Sequence, residues 1–202
     1  GEFSSYNKSR SNGIIRLNIN GSIDTSFVID SGLAQNSNCI TSLQLDGKIL
    51  IGGNFGVYKE TIIHAIARLN IDGSLDNSFD PRVLFENSFD GTEYSYYNAQ
   101  VSTILIQSTD EIIIGGHFAT YNYTLDKSYV VRLGTNGKLD QTFNPQTAAD
   151  GEISKVALQS DGKIIIGGEF TRYENIPANH LARLNPDGNL DVSFNPDLAP
   201  EY

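Results

Sequence analysis

Apolar positions in this chain come in short runs separated by turn residues, and no helical periodicity competes with them. Ile40–Leu45 leads into Asp46-Gly47 and on to Lys48–Gly53, and Ile153–Gln159 leads through Asp161-Gly162 to Lys163–Gly168. Asp-Gly between apolar runs predicts a β-hairpin with a type I′ turn, whose two central residues need positive φ. The matching turn in mid-chain, Thr109-Asp110-Glu111, lacks Gly and predicts a looser hairpin. His64–Asn70 reads as a third strand, which Asp72-Gly73 turns into a short fourth. Asn20-Gly21, Asn136-Gly137 and Asp187-Gly188 recur in the same role.

These runs form one repeated unit. RLNINGSIDTSF (Arg16–Phe27), RLNIDGSLDNSF (Arg68–Phe79), RLGTNGKLDQTF (Arg132–Phe143) and RLNPDGNLDVSF (Arg183–Phe194) align without gaps. ILIGGNFGVY (Ile49–Tyr58), IIIGGHFATY (Ile112–Tyr121) and IIIGGEFTRY (Ile164–Tyr173) recur between them, and GEFSSY (Gly1–Tyr6) opens the chain inside a further copy. The Arg-to-Arg steps are 52, 64 and 51 residues, and the long one holds an insertion between Asp80 and Gln100. Four antiparallel strands in about fifty residues describe a propeller blade. The Gly pairs, such as Gly52-Gly53, point to a bulge or a close backbone approach between blades. The recurring Phe and Tyr, such as Phe55 and Tyr58, are expected to pack between neighbouring blades.

A D-G-K hairpin, then G-G-x-F-x-x-Y, then R-L-N-x-D-G-x-L-D-x-S-F resembles the delta-60 repeat. That family occurs in large bacterial surface, secreted and phage-associated proteins, and the resemblance covers nearly all of the chain outside Asp80–Gln100. It implies a β-propeller and an extracellular, cell-surface or virion location. It implies no common activity, so no catalytic residue carries over. The expected fold is all-β, with about 3.5 blades of a partial or open propeller. The divisions are a trailing half-blade (1–38), a blade (39–80), an aromatic insertion loop (81–100), a blade (101–150) and a blade with a short tail (151–202). Closed propellers usually carry four to eight blades, and open edges invite pairing. The expected partners are therefore the remaining blades of the same protein, upstream of Gly1, or another copy. A mid-blade start without Met fits an excerpt of a longer protein.

Charge narrows the function classes. Lys and Arg number 14 against 24 Asp and Glu, a net charge of −10. That balance, without a basic cluster, argues against nucleic acids and anionic membrane surfaces. No apolar run approaches a membrane span. Cys39 is the sole cysteine, which excludes an internal disulfide, and it reads as a small buried hydrophobe. Asn7-Lys8-Ser9, Asn20-Gly21-Ser22 and Asn122-Tyr123-Thr124 match glycosylation sequons.

Chemistry is sparse. Asn70–Asp76 superficially resembles a calcium loop through Asp72 and Asp76, but it equally reads as a hairpin with Asx turns. No other cofactor is expected. Arg16, Arg68, Arg132 and Arg183 each precede Asp24, Asp76, Asp140 and Asp191 by eight residues across a turn, which suits a structural ion pair or an Arg bond to backbone carbonyls. His64, His117 and His180 sit at different repeat positions and make no zinc spacing. No G-x-S-x-G elbow is present. The insertion is the most individual feature. Phe85, Phe89, Tyr94, Tyr96 and Tyr97 offer a ligand-binding surface, for a glycan or a protein, or fold back to cap the blade edge. Three functions compete: a non-enzymatic scaffold or interaction module, a carbohydrate-binding module, and part of a polysaccharide-active enzyme whose site lies in other blades.

Overall fold

The structure is a computed structural model that describes residues 3–11, 13–29, 32–33, 38–63, 65–81, 88–89, 94–95, 99–118, 129–143 and 148–195. Every regular element among them is a strand. Three antiparallel sheets recur, each with its second strand in the centre. They comprise Cys39–Leu43, Ile49–Gly53 and Ile66–Leu69; then Gln100–Ile106, Ile112–His117 and Val130–Leu133; then Ile153–Leu158, Ile164–Gly168 and Leu181–Leu184. These are the blades of an open β-propeller.

The fourth segment differs from the expected strand. It joins its sheet through a single bridge: Leu17 to Ile23, Leu69 to Leu75, Leu133 to Leu139 and Leu184 to Leu190. The reason is the Asp that follows. Asp76 Oδ1 accepts hydrogen bonds from the Ser78 backbone N–H at 3.0 Å and hydroxyl at 2.6 Å. That turn competes with the ladder and bends the chain away.

Hairpin chemistry also differs from expectation. Gly47 N–H bonds to Gln44 O at 3.0 Å, and Gln44 N–H to Lys48 O at 2.9 Å. Gly47 has φ +83°, while Asp46 keeps negative φ. This is a type I turn closed by one left-handed residue, not type I′. Asp161-Gly162 repeats it. In mid-chain Asp110 takes the left-handed place, with φ 67°, and the same two bonds form at 3.0 and 2.8 Å. That hairpin is no looser, because Asp tolerates this conformation better than most residues.

Type I′ geometry appears elsewhere. Lys59-Glu60 joins Val57–Tyr58 to Thr61–Ile62, and Glu174-Asn175 joins Arg172–Tyr173 to Ile176–Pro177, all four turn residues having positive φ. Asn7-Lys8 makes the same turn in the half-blade. Exposed Glu60 holds φ 65° without help from Gly. Glu60→Gly is expected to stabilise the chain by about 0.5–1 kcal/mol, read as a higher urea midpoint.

The apolar cores lie between blades. Phe27 and Leu33 pack with Ile51, Phe55 and Tyr58. Leu50, Ile66 and Phe79 pack with Val101, Ile112 and Phe118, and Ile113, Val130 and Phe143 pack with Ile153, Phe170 and Tyr173. The two glycines of each pair do different jobs. A Cβ on Gly52 would stand 2.8 Å from Val101 of the next blade, and one on Gly115 would stand 2.7 Å from Ile153. A Cβ on Gly53 would stand 1.8 Å from Asn38 O, on the adjoining first-strand side of its own blade. Gly116 and Gly168 meet Gln100 O and Glu152 O in the same way, at 2.0 and 1.9 Å.

Candidate functional site

The conserved spacing within each unit converges on one node. Arg Nε donates to Asp Oδ2 in every copy: Arg16 to Asp24 at 2.8 Å, Arg68 to Asp76 at 2.8 Å, Arg132 to Asp140 at 2.7 Å and Arg183 to Asp191 at 2.7 Å. The eight-residue interval works because the Asx-Gly turn folds the chain back and sets both side chains on one face. Nη2 donates to the hydroxyl two residues beyond each Asp, on Ser26, Ser78, Thr142 and Ser193. The guanidinium lies over the Phe that ends the motif, at 4.9 Å from Phe27, 4.8 Å from Phe79, 5.2 Å from Phe143 and 4.7 Å from Phe194.

The remaining nitrogen reaches across to the next blade. Arg16 Nη1 donates to Ile71 O, Arg68 Nη1 to Thr135 O at 2.6 Å, and Arg132 Nη1 to Pro186 O at 2.8 Å. Those carbonyls all belong to the turn before the Gly of the following copy. Backbone bonds run alongside, from Val28 N–H to Asp72 O and from Asp80 N–H to Asn136 O, both 2.9 Å. The turn glycine lets the Phe ring close in: a Cβ on Gly73, Gly137 or Gly188 would stand 3.2, 3.0 or 3.1 Å from Phe27, Phe79 or Phe143. A Tyr hydroxyl holds the same turn from behind, Tyr58 to Gly73 O at 2.6 Å and Tyr173 to Gly188 O at 2.7 Å. Sequence reasoning found the Arg and Asp and allowed for backbone carbonyls as acceptors, but not that these belong to the next blade's turn, and it missed this Tyr bond. The fifteen-residue step from Tyr6, Tyr58 and Tyr173 to Gly21, Gly73 and Gly188 was the available signal.

Lysine enters two of the four nodes. Lys48 Nζ lies 2.9 Å from Asp76 Oδ2, and Lys163 Nζ lies 2.7 Å from Asp191 Oδ2. In mid-chain Glu111 replaces that Lys, and Arg132 holds Asp140 without it. Burial pushes the Asp76 carboxyl up, but donors from Ser78, Lys48 and Arg68 outweigh it and hold it far below the ordinary 3.8. Lys163 and Ser193 hold Asp191 equally low against a smaller burial effect. Asp140 is lowered by Thr142 and Arg132 despite burial, and Asp24 chiefly by Ser26.

Carboxyls with depressed folded pKa values support the fold fully above their unfolded value and lose that support as pH falls through the folded value. The melting temperature is therefore expected to be level down to about pH 5 and to fall below about pH 4. Asp76→Asn is expected to flatten that acid limb, as checked by circular dichroism melts across pH.

The residues named for metal do not form an open site. Four donors, including two cations, already occupy the Asp76 carboxylate, and Asp72 Oδ1 accepts from Ser74 N–H and Oγ–H at 2.9 and 2.7 Å. A metal at Asp76 would have to displace Arg68 and Lys48. Among the described residues no three His, Cys, Asp or Glu cluster suitably for an ion. His180 takes the left-handed place that Gly13 and Ala65 hold in other copies, with φ 62° and Nδ1 3.0 Å from Gly168 O. Exposed His117 lies 5.7 Å from the Tyr129 ring, and His64 lies outside the described residues. Burial pushes the Cys39 thiol up to about 11, so it is protonated at neutral pH.

Of the insertion, Phe85, Tyr96 and Tyr97 lie outside the described residues, as do the Phe89 and Tyr94 side chains. The backbone pairs Ser88–Phe89 with Tyr94–Ser95, Phe89 opposite Tyr94.

Residues 1–27, 44–79, 107–143 and 159–194 match the family model described as "Domain of unknown function (DUF5122) beta-propeller". The chain belongs to this family. Each DUF5122 match ends on the Arg–Asp–Phe node, and the matches leave out the insertion. No curated protein matches the chain. An open cavity of about 480 Å³ lies beside the first joint, between Arg16 and Ser26 on one side and Lys48, Asn70 and Asp72 on the other. Of its charged side chains, Arg16 bonds across the DUF5122 joint, and Asp46, Lys48 and Asp72 bond within their own unit.

Proposed function

We propose that this DUF5122 stretch is a non-enzymatic structural and interaction scaffold, a β-propeller segment of delta-60 type within a larger extracellular, cell-surface or phage-tail protein. What supports it is the fate of the recurring charges. Arg16, Arg68 and Arg132 each engage their own Asp, a neighbouring hydroxyl and the next blade's turn. Residues shared by all copies hold blades in register, and an identical acid–base role in every blade would serve no single site.

The test exposes the purified chain to a panel of polysaccharide, ester and phosphate substrates and to a glycan array. The scaffold reading expects neither turnover nor saturable glycan binding. Glycan binding lost on deleting Leu84–Tyr97 would replace it with the carbohydrate-binding reading. Turnover by the chain itself would replace it with an enzyme.

A further inference from the structure

The joint between blades has a donor half and an acceptor half, and among the described residues one of each stands alone. On the donor side, Arg183 keeps its bonds to Asp191 and Ser193, but its Nη1 has no acceptor among the described residues. Phe194 is half-buried, whereas Phe27, Phe79 and Phe143 are buried at 4–7% exposure. Ile165 pairs with Arg183 as Leu50 pairs with Arg68 and Ile113 with Arg132. Leu50 and Ile113 are fully buried by the following blade, and Ile165 is half-exposed. A Cβ on Gly167 would meet nothing nearer than 3.6 Å, where its counterparts Gly52 and Gly115 touch the next blade.

On the acceptor side, the turn at Ile19–Gly21 projects into solvent. Ile19 is fully exposed, its carbonyl accepts no bond among the described residues, and Gly21 has nothing within 4 Å of a Cβ position. Gly21 nevertheless has the same left-handed backbone, φ 80°, as Gly73, Gly137 and Gly188, which fill the joints inside the chain.

We infer that the Arg183–Phe194 face is a docking surface for the Ile19–Gly21 turn of a second copy, so that chains associate head to tail. Three joints of this kind already form within the chain, which makes the interface continuous with an established one. Arg183 Nη1 takes the Ile19 carbonyl, as Arg132 takes Pro186, and the Phe194 ring covers Gly21. The contact is heterologous, so it propagates or closes into a ring. It lacks the first-strand contact that covers Leu50 and Ile113, so it is weaker than the internal joints. This inference rests on the scaffold reading.

Sedimentation velocity over a concentration series tests it, with two variants. Gly21→Asn places a Cβ against the Phe194 ring of the partner, while Asn tolerates left-handed backbone and its Cβ meets nothing within 4 Å among the described residues. Arg183→Lys keeps a cation for Asp191 but loses the fork that reaches a second acceptor. The wild type is expected to show concentration-dependent association, and each variant to weaken it about tenfold or more. An equimolar mixture of the two variants retains one intact joint and is expected to form a dimer that grows no further. A wild type that stays monomeric throughout, association untouched by either variant, or a mixture that fails to dimerise overturns the inference. None of these results bears on turnover or glycan binding, which test the scaffold reading separately.

Discussion

Arg68→Ala is expected to destabilise the chain by about 3 kcal/mol, the summed loss of its charge-assisted hydrogen bonds and of its packing over Phe79. Arg68 and Asp76 are each only 7% exposed. The substitution removes the bond to Asp76, the cross-blade bond to Thr135 O, the bond to Ser78 and the contact over Phe79 together. Lys48 remains beside Asp76, so the carboxylate keeps one cation and stays charged. Arg68→Lys is expected to recover only part of the loss, because an ammonium cannot fork to three acceptors in a plane. Arg183→Ala is expected to cost much less, since Arg183 makes no bond across a joint among the described residues and Lys163 stays with Asp191. Urea denaturation followed by circular dichroism reads all three. Equal losses for Arg68→Ala and Arg183→Ala would show that the cross-blade bond contributes nothing.

The glycine pairs carry the second large effect. Gly53→Ala is expected to cost about 3 kcal/mol, because its Cβ would stand 1.8 Å from Asn38 O, a backbone atom that cannot swing aside. Gly52→Ala meets side chains of the next blade, Val101 at 2.8 Å and Ile104 at 2.9 Å, which yield at a cost of about 1–3 kcal/mol. Gly167→Ala sits at the same repeat position as Gly52 and is expected to fall within about 0.5 kcal/mol of wild type, because its nearest neighbour is 3.6 Å away. Urea midpoints order the three variants. A Gly167→Ala loss matching that of Gly52→Ala would mean that the glycine is needed for its own strand and not for the neighbouring blade.

The repeat, its strands and its turns were legible because they rest on short-range preferences. Asx-Gly dipeptides between apolar runs mark a reversal whatever lies around them, and the eight-residue Arg–Asp interval spans one such reversal. The turn type was not legible. Asp46-Gly47 and Thr109-Asp110 look different as dipeptides, yet both close a type I turn with one left-handed residue. A bulge-closed hairpin needs only that last residue at positive φ, so Asp110 serves where Gly47 does. The truncated fourth strand was hidden for a related reason. Leu75 and Leu190 read as strand residues, but Asp76 and Asp191 capture the next turn through their own side chains.

The candidate site was half legible. The four Arg–Asp pairs lie within one turn of chain and need no knowledge of the fold. The acceptors of Nη1 lie 54 to 67 residues away and depend on how blades stack. The sequence by itself determined the unit, its copy number and which runs fold back on each other, since turn-forming dipeptides and neighbouring side chains decide those. Only the tertiary structure decided which glycine faces its own strand and which faces the next blade. It also decided that the Arg–Asp–Phe node is a joint, with one donor face at Arg183 and one acceptor turn at Gly21 left open among the described residues. Those assignments follow from the twist and spacing of packed sheets, which no local run of residues encodes.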